Sequence, residues 1–185
     1  MSEPADPRTI FTIGHGTRPI GDFLELLRGA GIQRLVDVRT APGSRRNPQF
    51  GKEELAAALA DASIAYDWEK DLGGLRRTGP DSRHTAIRNA SFRAFADHME
   101  TDTFRGALDR LAETSRDTIT AIMCAESLWW RCHRRMIADA LTVRGWRVIH
   151  LMDRGKREPH RLHPNARVVG EEVIYDVEDQ PRRSG

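Results

Sequence analysis

Lysine is nearly missing from this chain: Lys52, Lys70 and Lys156 are the only three, and every other basic residue is arginine. The planar guanidinium is the better fork for a phosphate or carboxylate. Arginines pair at Arg45/Arg46, Arg76/Arg77, Arg134/Arg135 and Arg182/Arg183, with solvated surface charge as the bland alternative for any one pair. Cysteine is equally scarce. Cys124 and Cys132 are too few for a secreted disulfide framework, so reduced thiols are expected. No apolar run approaches the length that spans a bilayer. Met1 to Arg8 is acidic and poor in apolar residues, unlike a signal peptide, so the expected location is the cytoplasm, with no membrane partner. What remains is ordinary: 185 residues, 39% hydrophobic and 30% charged, with a net charge of +2, fit one globular unit with a real core.

The pattern along the chain alternates strand and helix. Thr9–Ile13 is a β-branched and aromatic run that stops at a Gly14-His15-Gly16 turn. Pro19 then opens a helix with Ile20, Phe23, Leu24 and Leu27 at helical spacing. Leu35–Val38 reads as a buried parallel strand, Gly51–Ala62 as a helix, and Ile64–Trp68 as a weaker strand. A long polar stretch, Asp71–Ala90, is of the kind that is functional or mobile in a compact domain. Two short helices follow, marked by Phe92, Phe95 and Met99, then by Phe104, Leu108 and Leu111. Thr118–Cys124 is the fourth strand, Arg131–Arg144 a helix, and Trp146–Met152 the fifth strand, with Val173–Val177 as a candidate edge strand. The expected fold is therefore α/β: a three-layer, mostly parallel, doubly wound sheet of about five strands flanked by helices. Residues 1–8 are expected to be a disordered arm, 9–177 a single domain, and 178–185 a flexible tail.

In such a sheet, ligands sit beyond the carboxyl ends of the strands. The suspects are thus Gly14, His15, Gly16 and Thr17 after strand one; Asp37, Arg39, Ser44 and Arg45 after strand two; Gly73 and Gly74 after strand three; and Cys124, Glu126, Cys132, His133 and Arg134 after strand four. The backbone amides of the glycine–histidine turn can hold an anion; a plain tight turn is the alternative. Asp37 lies in an apolar strand and needs a partner, with Arg39 two residues on along the same face. A thiol at a helix start beside arginines has a lowered pKa. The cysteines could be a redox pair, though C-x-x-C is absent. They could bind zinc with His133 and His15, though not at finger spacing, and no metal is expected. A phosphatase-type C-x5-R loop would need arginine where Trp130 stands; inert packing is the remaining role. Glu126, just past a strand end, ranks above either cysteine as an acid or base, since a carboxylate there can be partly desolvated. Trp129 and Trp130 beside it could stack on a ring, or cap the core.

Thr12-Ile13-Gly14-His15, then Leu35-Val36-Asp37-Val38-Arg39 with Pro42 and Ser44-Arg45, then Leu72-Gly73-Gly74, then Met123-Cys124-Ala125-Glu126 with Cys132-His133-Arg134, resembles the DUF488 family, a domain of unknown function. The resemblance runs in order from Thr9 to Met152, with an extension through His160 to Arg167. It implies a compact α/β fold and one shared site built from those motifs, and it assigns no reaction. This chain departs from the pattern in having Gly16 where serine is expected and a bulkier Leu128-Trp129-Trp130.

These readings favour an enzyme acting on a phosphate-bearing substrate, a nucleotide or a modified base in nucleic acid. It would be a hydrolase, as in N-glycosidic cleavage during DNA repair or modification. Asp37 or Glu126 would activate water, and His15 or His133 would be the proton partner. The alternatives are a non-catalytic nucleotide- or nucleic-acid-binding module and a cysteine-based sulfur-transfer or redox protein. No cofactor is expected. The expected partner is an anionic small molecule or nucleic acid, and a homodimer is left open.

Overall fold

The computed structural model describes residues 8–77 and 79–178. Nearly all of the expected N-terminal arm and C-terminal tail lies outside that range. Strands β1 (Thr9–Gly14), β2 (Arg34–Asp37), β3 (Ala65–Trp68), β4 (Thr120–Cys124) and β5 (Arg147–Leu151) fall where the sequence pattern puts them, within a few residues at each end. Their order is β3-β2-β4-β1-β5, all parallel, with a short antiparallel β6 (Arg157–Pro159) on the β5 edge. This is a doubly wound α/β fold.

Alternation along each strand divides the core in two. Phe11 and Ile13 of β1, Leu35 of β2 and Met123 of β4 face helices α1 (Ile20–Gly29) and α2 (Lys52–Asp61), which bury Phe23, Leu27, Leu55 and Leu59. Ile10, Val36, Ile122 and Val148 face the opposite way. They meet α3 (Ala90–Met99), α4 (Asp102–Thr114) and α5 (Arg134–Val143) through Phe95, Phe104, Leu108, Met136 and Ile137. Each such side chain contributes about 1.5–3 kcal/mol by leaving water. Asn89 and Thr101 cap α3 and α4 by accepting from the backbone N–H groups of Phe92 and Phe104 at 3.1 and 3.2 Å.

Two features depart from the expectation. Val173 belongs to a strand, β8 (Glu172–Tyr175), but that strand does not extend the main sheet. It pairs with β7 (Ala166–Val169) in a separate antiparallel hairpin. The reason is occupancy: β6 already covers the β5 edge, and Val173 and Tyr175 are buried against α5 instead. The sequence reading missed β6, which is only three residues long and ends in proline.

Parallel neighbours β1 and β4 place Gly14 opposite Cys124, and the chain beyond β4 crosses Gly14 closely. A Cβ on Gly14 would stand 1.9 Å from the Glu126 carbonyl oxygen, a backbone atom that cannot rotate away. We expect Gly14→Ala to cost about 3 kcal/mol. Gly21, exposed in α1 with nothing near its absent Cβ, should gain about 0.5–1 kcal/mol as alanine. Urea midpoints of the two variants measure the contrast.

Candidate functional site

The carboxyl ends of β1, β2 and β4 open onto a cleft of about 820 Å³. Among the described residues its wall includes His15, Gly16, Thr17, Arg39, Ser44, Arg45, Gly74, Cys124, Glu126, Cys132 and His133. The segments that the sequence places at one rim do converge. Gly14, Asp37, Gly73 and Arg134 lie behind that wall, not on it.

Asp37 is fully buried, and its carboxylate is saturated. It accepts from the Arg39 backbone N–H at 3.1 Å, from Arg39 Nε at 2.9 Å and Nη2 at 2.6 Å, and from the Tyr66 hydroxyl at 2.7 Å. Burial and the hydrogen bond to Asp37 raise the Tyr66 phenol above its ordinary range. Arg39 spends its remaining arm on the Phe50 carbonyl at 2.8 Å. The pair therefore fixes the floor of the cleft, and neither member has a group free for substrate.

His15 stacks on Phe50 at 4.4 Å, and its Nδ1 donates to the Gly16 carbonyl at 2.8 Å. Burial lowers its pKa, with the positive charge of Arg39 in the same direction. The amides of the turn are not available to an anion: His15 N–H donates to the Cys124 carbonyl and Gly16 N–H to the Ala125 carbonyl. The turn is stitched to β4 instead. The free cations sit elsewhere on the wall. Arg45 and Arg46 on the loop after β2, and Arg131 across from them, are exposed and form no ion pair among the described residues. Among the described residues Glu126 is the only carboxylate on the wall. It is exposed, against the expectation of partial burial, and one of its oxygens accepts from the Leu128 N–H at 3.1 Å.

The cysteines are the surprise. Both are buried, and the Cys124 thiol donates to the Glu126 carbonyl at 3.8 Å. Cys132 precedes α5, whose first turn has no side-chain cap from His133. The Cys132 sulfur takes that place, accepting the Arg134 backbone N–H at 3.4 Å. His133 Nε2 donates to the Val38 carbonyl at 3.1 Å, which leaves Nδ1 facing the Cys132 sulfur at 3.6 Å. Gly74 makes room for that ring; a Cβ there would lie 2.6 Å from Nδ1. Burial raises the Cys132 thiol. The hydrogen bond from Cys124, the hydrogen bond and charge of His133, and the charge of Arg134 outweigh that and hold it well below the usual range. Cys124 moves the other way, pushed up by burial and by its neighbour. The fully buried Arg134 reaches back under the cleft, its Nη2 donating to the Glu126 carbonyl at 2.6 Å.

Trp129 stacks on His150 at 4.1 Å and caps the interior, whereas Trp130 is exposed. In the long polar stretch, Arg76 donates to backbone carbonyls and Arg83 pairs with Glu100, so neither is free to clamp a polyanion. The sequence reading assigned no role to Thr12, Asp139, His150 or His160. A polar residue in the apolar stretches of β1, α5 and β5 was the available signal.

Two outcomes follow. Asp37→Asn removes the charge that neutralises a buried guanidinium and should cost about 3–5 kcal/mol in unfolding free energy by urea titration; an unchanged urea midpoint would contradict the structural role. Burial also pushes His15, His84, His98 and His150 down, His150 to about 3. Unfolding returns each to about 6.5, so the unfolded chain binds more protons below that pH. Stability should therefore fall as pH drops from about 6.5 toward 3; calorimetric melting at pH 7.5 and 5.5 checks the sign.

Comparison with curated proteins and with solved structures finds no match. A family model for the domain of unknown function DUF488 matches residues 19–141, which takes in the cleft segments that follow β2, β3 and β4. The chain belongs to the DUF488 family.

Proposed function

We propose that the cleft is the active centre of an enzyme that holds a phosphate-bearing substrate, such as a nucleotide, on Arg45, Arg46 and Arg131 and attacks it with the Cys132 thiolate. The observation that carries this reading is the Cys132–His133 pair. A nucleophile faces an imidazole nitrogen whose partner nitrogen is fixed by a backbone carbonyl, the arrangement of an activated thiol. The wall supports the anionic substrate: three unpaired arginines, Arg45, Arg46 and Arg131, stand on it against one carboxylate among the described residues. Hydrolysis is the reaction class. Cys132 sulfur bonds to the electrophilic centre, and the leaving group departs with a proton from His133. Water deprotonated by exposed Glu126 then displaces the sulfur. Asp37 supports the site through Arg39 and takes no proton.

Iodoacetamide tests both halves. At pH about 6.5, below the ordinary thiol range, Cys132 should be alkylated and Cys124 spared, as read by peptide mass. Millimolar pyrophosphate should slow the alkylation, and Arg45→Ala with Arg46→Ala should remove most of that protection. Two thiols that react only above pH about 8.5, or labelling indifferent to pyrophosphate, would overturn the reading.

A further inference from the structure

Behind the cleft, five buried side chains from β1, β5, α5 and the segment after β6 form one unbroken hydrogen-bonded file. Arg134 Nη1 donates to Thr12 Oγ1 at 3.2 Å. Thr12 Oγ1 meets His150 Nδ1 at 2.6 Å, and His150 Nε2 meets His160 Nδ1 at 2.9 Å. His160 Nε2 lies 2.7 Å from Asp139 Oδ1. One placement of protons satisfies every member. Asp139 accepts from His160 Nε2–H, His160 Nδ1 accepts from His150 Nε2–H, and His150 Nδ1 accepts from the Thr12 hydroxyl, whose lone pair receives Arg134. All donors point the same way, from a buried cation to a buried anion. Asp139 is held at the far end by the Tyr175 hydroxyl at 2.7 Å and the His163 N–H at 3.1 Å.

The arrangement has a consequence for the cation. Arg134 is 1% exposed, forms no ion pair with a carboxylate among the described residues, and its Nε has no hydrogen-bond partner. A buried charge must be neutralised nearby. Both cysteines lie beside it: the Arg134 backbone N–H donates to the Cys132 sulfur at 3.4 Å, and its Nη2 shares the Glu126 carbonyl with the Cys124 thiol, at 2.6 and 3.8 Å.

We infer that Thr12, His150, His160 and Asp139 are positioning residues that hold the Arg134 guanidinium under the segment carrying the two cysteines, where its charge favours the Cys132 thiolate. This rests on the reading of Cys132 as the nucleophile. Thr12, His150 and His160 lie outside the stretch matched by the family model, and Arg134 and Asp139 lie inside it. Burial, followed by the charges of His160 and Arg134, holds His150 to about 3, which keeps its ring neutral and the file intact across the working range of pH. The groups facing Cys132 are Cys124 from β4, His133 just before α5 and Arg134 at its start, with His15, Arg39 and Glu126 sharing the cleft.

The test is the pH profile of Cys132 alkylation by iodoacetamide in the full chain. Thr12→Val keeps the shape and removes the hydroxyl that joins Arg134 to His150. Loosening the cation should move the midpoint up by about one pH unit, and Thr12→Ser should restore it. His160→Phe, which keeps a ring of similar breadth, should move it the same way. Melting temperatures identify a merely structural role, which would lower them and leave the midpoint in place; that result overturns the relay while leaving Cys132 as nucleophile. A wild-type midpoint at the ordinary thiol value near 8.5 would instead overturn the nucleophile reading, and the relay with it.

Discussion

A buried guanidinium with no carboxylate partner among the described residues lies under the cleft. Arg134 opens α5, yet its side chain turns under β1 and β4, where it ties together the Thr12 hydroxyl and the Glu126 carbonyl. Moving one unpaired ion out of water costs several kcal/mol. Its surroundings are the two buried cysteines on one side and a file of imidazoles ending in Asp139 on the other. Gly14 belongs to the same arrangement, since a Cβ there would also lie 2.8 Å from the Arg134 Nη2. The absence of side chain at that position lets the strand end, the β4 crossing and the guanidinium share one space.

Around that charge the site divides into two kinds of arginine. Arg39 and Arg134 are buried, paired or hydrogen-bonded, and serve the scaffold. Arg45, Arg46 and Arg131 are exposed around the opening. The scarcity of lysine acquires a physical reading here, because only a planar fork can make the fixed multidentate contacts of the first group.

Much of this was legible in the residues. Buried parallel strands announce themselves as short apolar runs ended by turn residues, so β1, β2, β4 and β5 could be placed, and with them the rim where Gly16, Cys124 and His133 meet. The roles at that rim were less legible. Asp37 and Arg39 were recognised as a pair, but only geometry shows the carboxylate saturated by Tyr66 as well. The amides of the glycine turn look free in sequence and are bonded to β4 across a distance of more than a hundred residues. Glu126 ranks high by position and proves exposed, whereas Cys132 ranks low by motif and proves to cap α5. The relay was invisible because its members come from β1, α5, β5 and the segment after β6, which no local spacing connects. Its traces were single polar residues in apolar stretches, such as Asp139 between two alanines on the inner face of α5.

The central claim is that the folded chain carries one thiolate because a buried cation demands it. Ultraviolet absorbance of the thiolate near 240 nm, followed against pH in the native protein and again in denaturant, measures this directly. The account predicts about one thiolate per chain already present at pH 6 in the native state and none there after unfolding, with both thiols then titrating near the ordinary value of about 8.5. Native absorbance that stays flat until that same pH would contradict it.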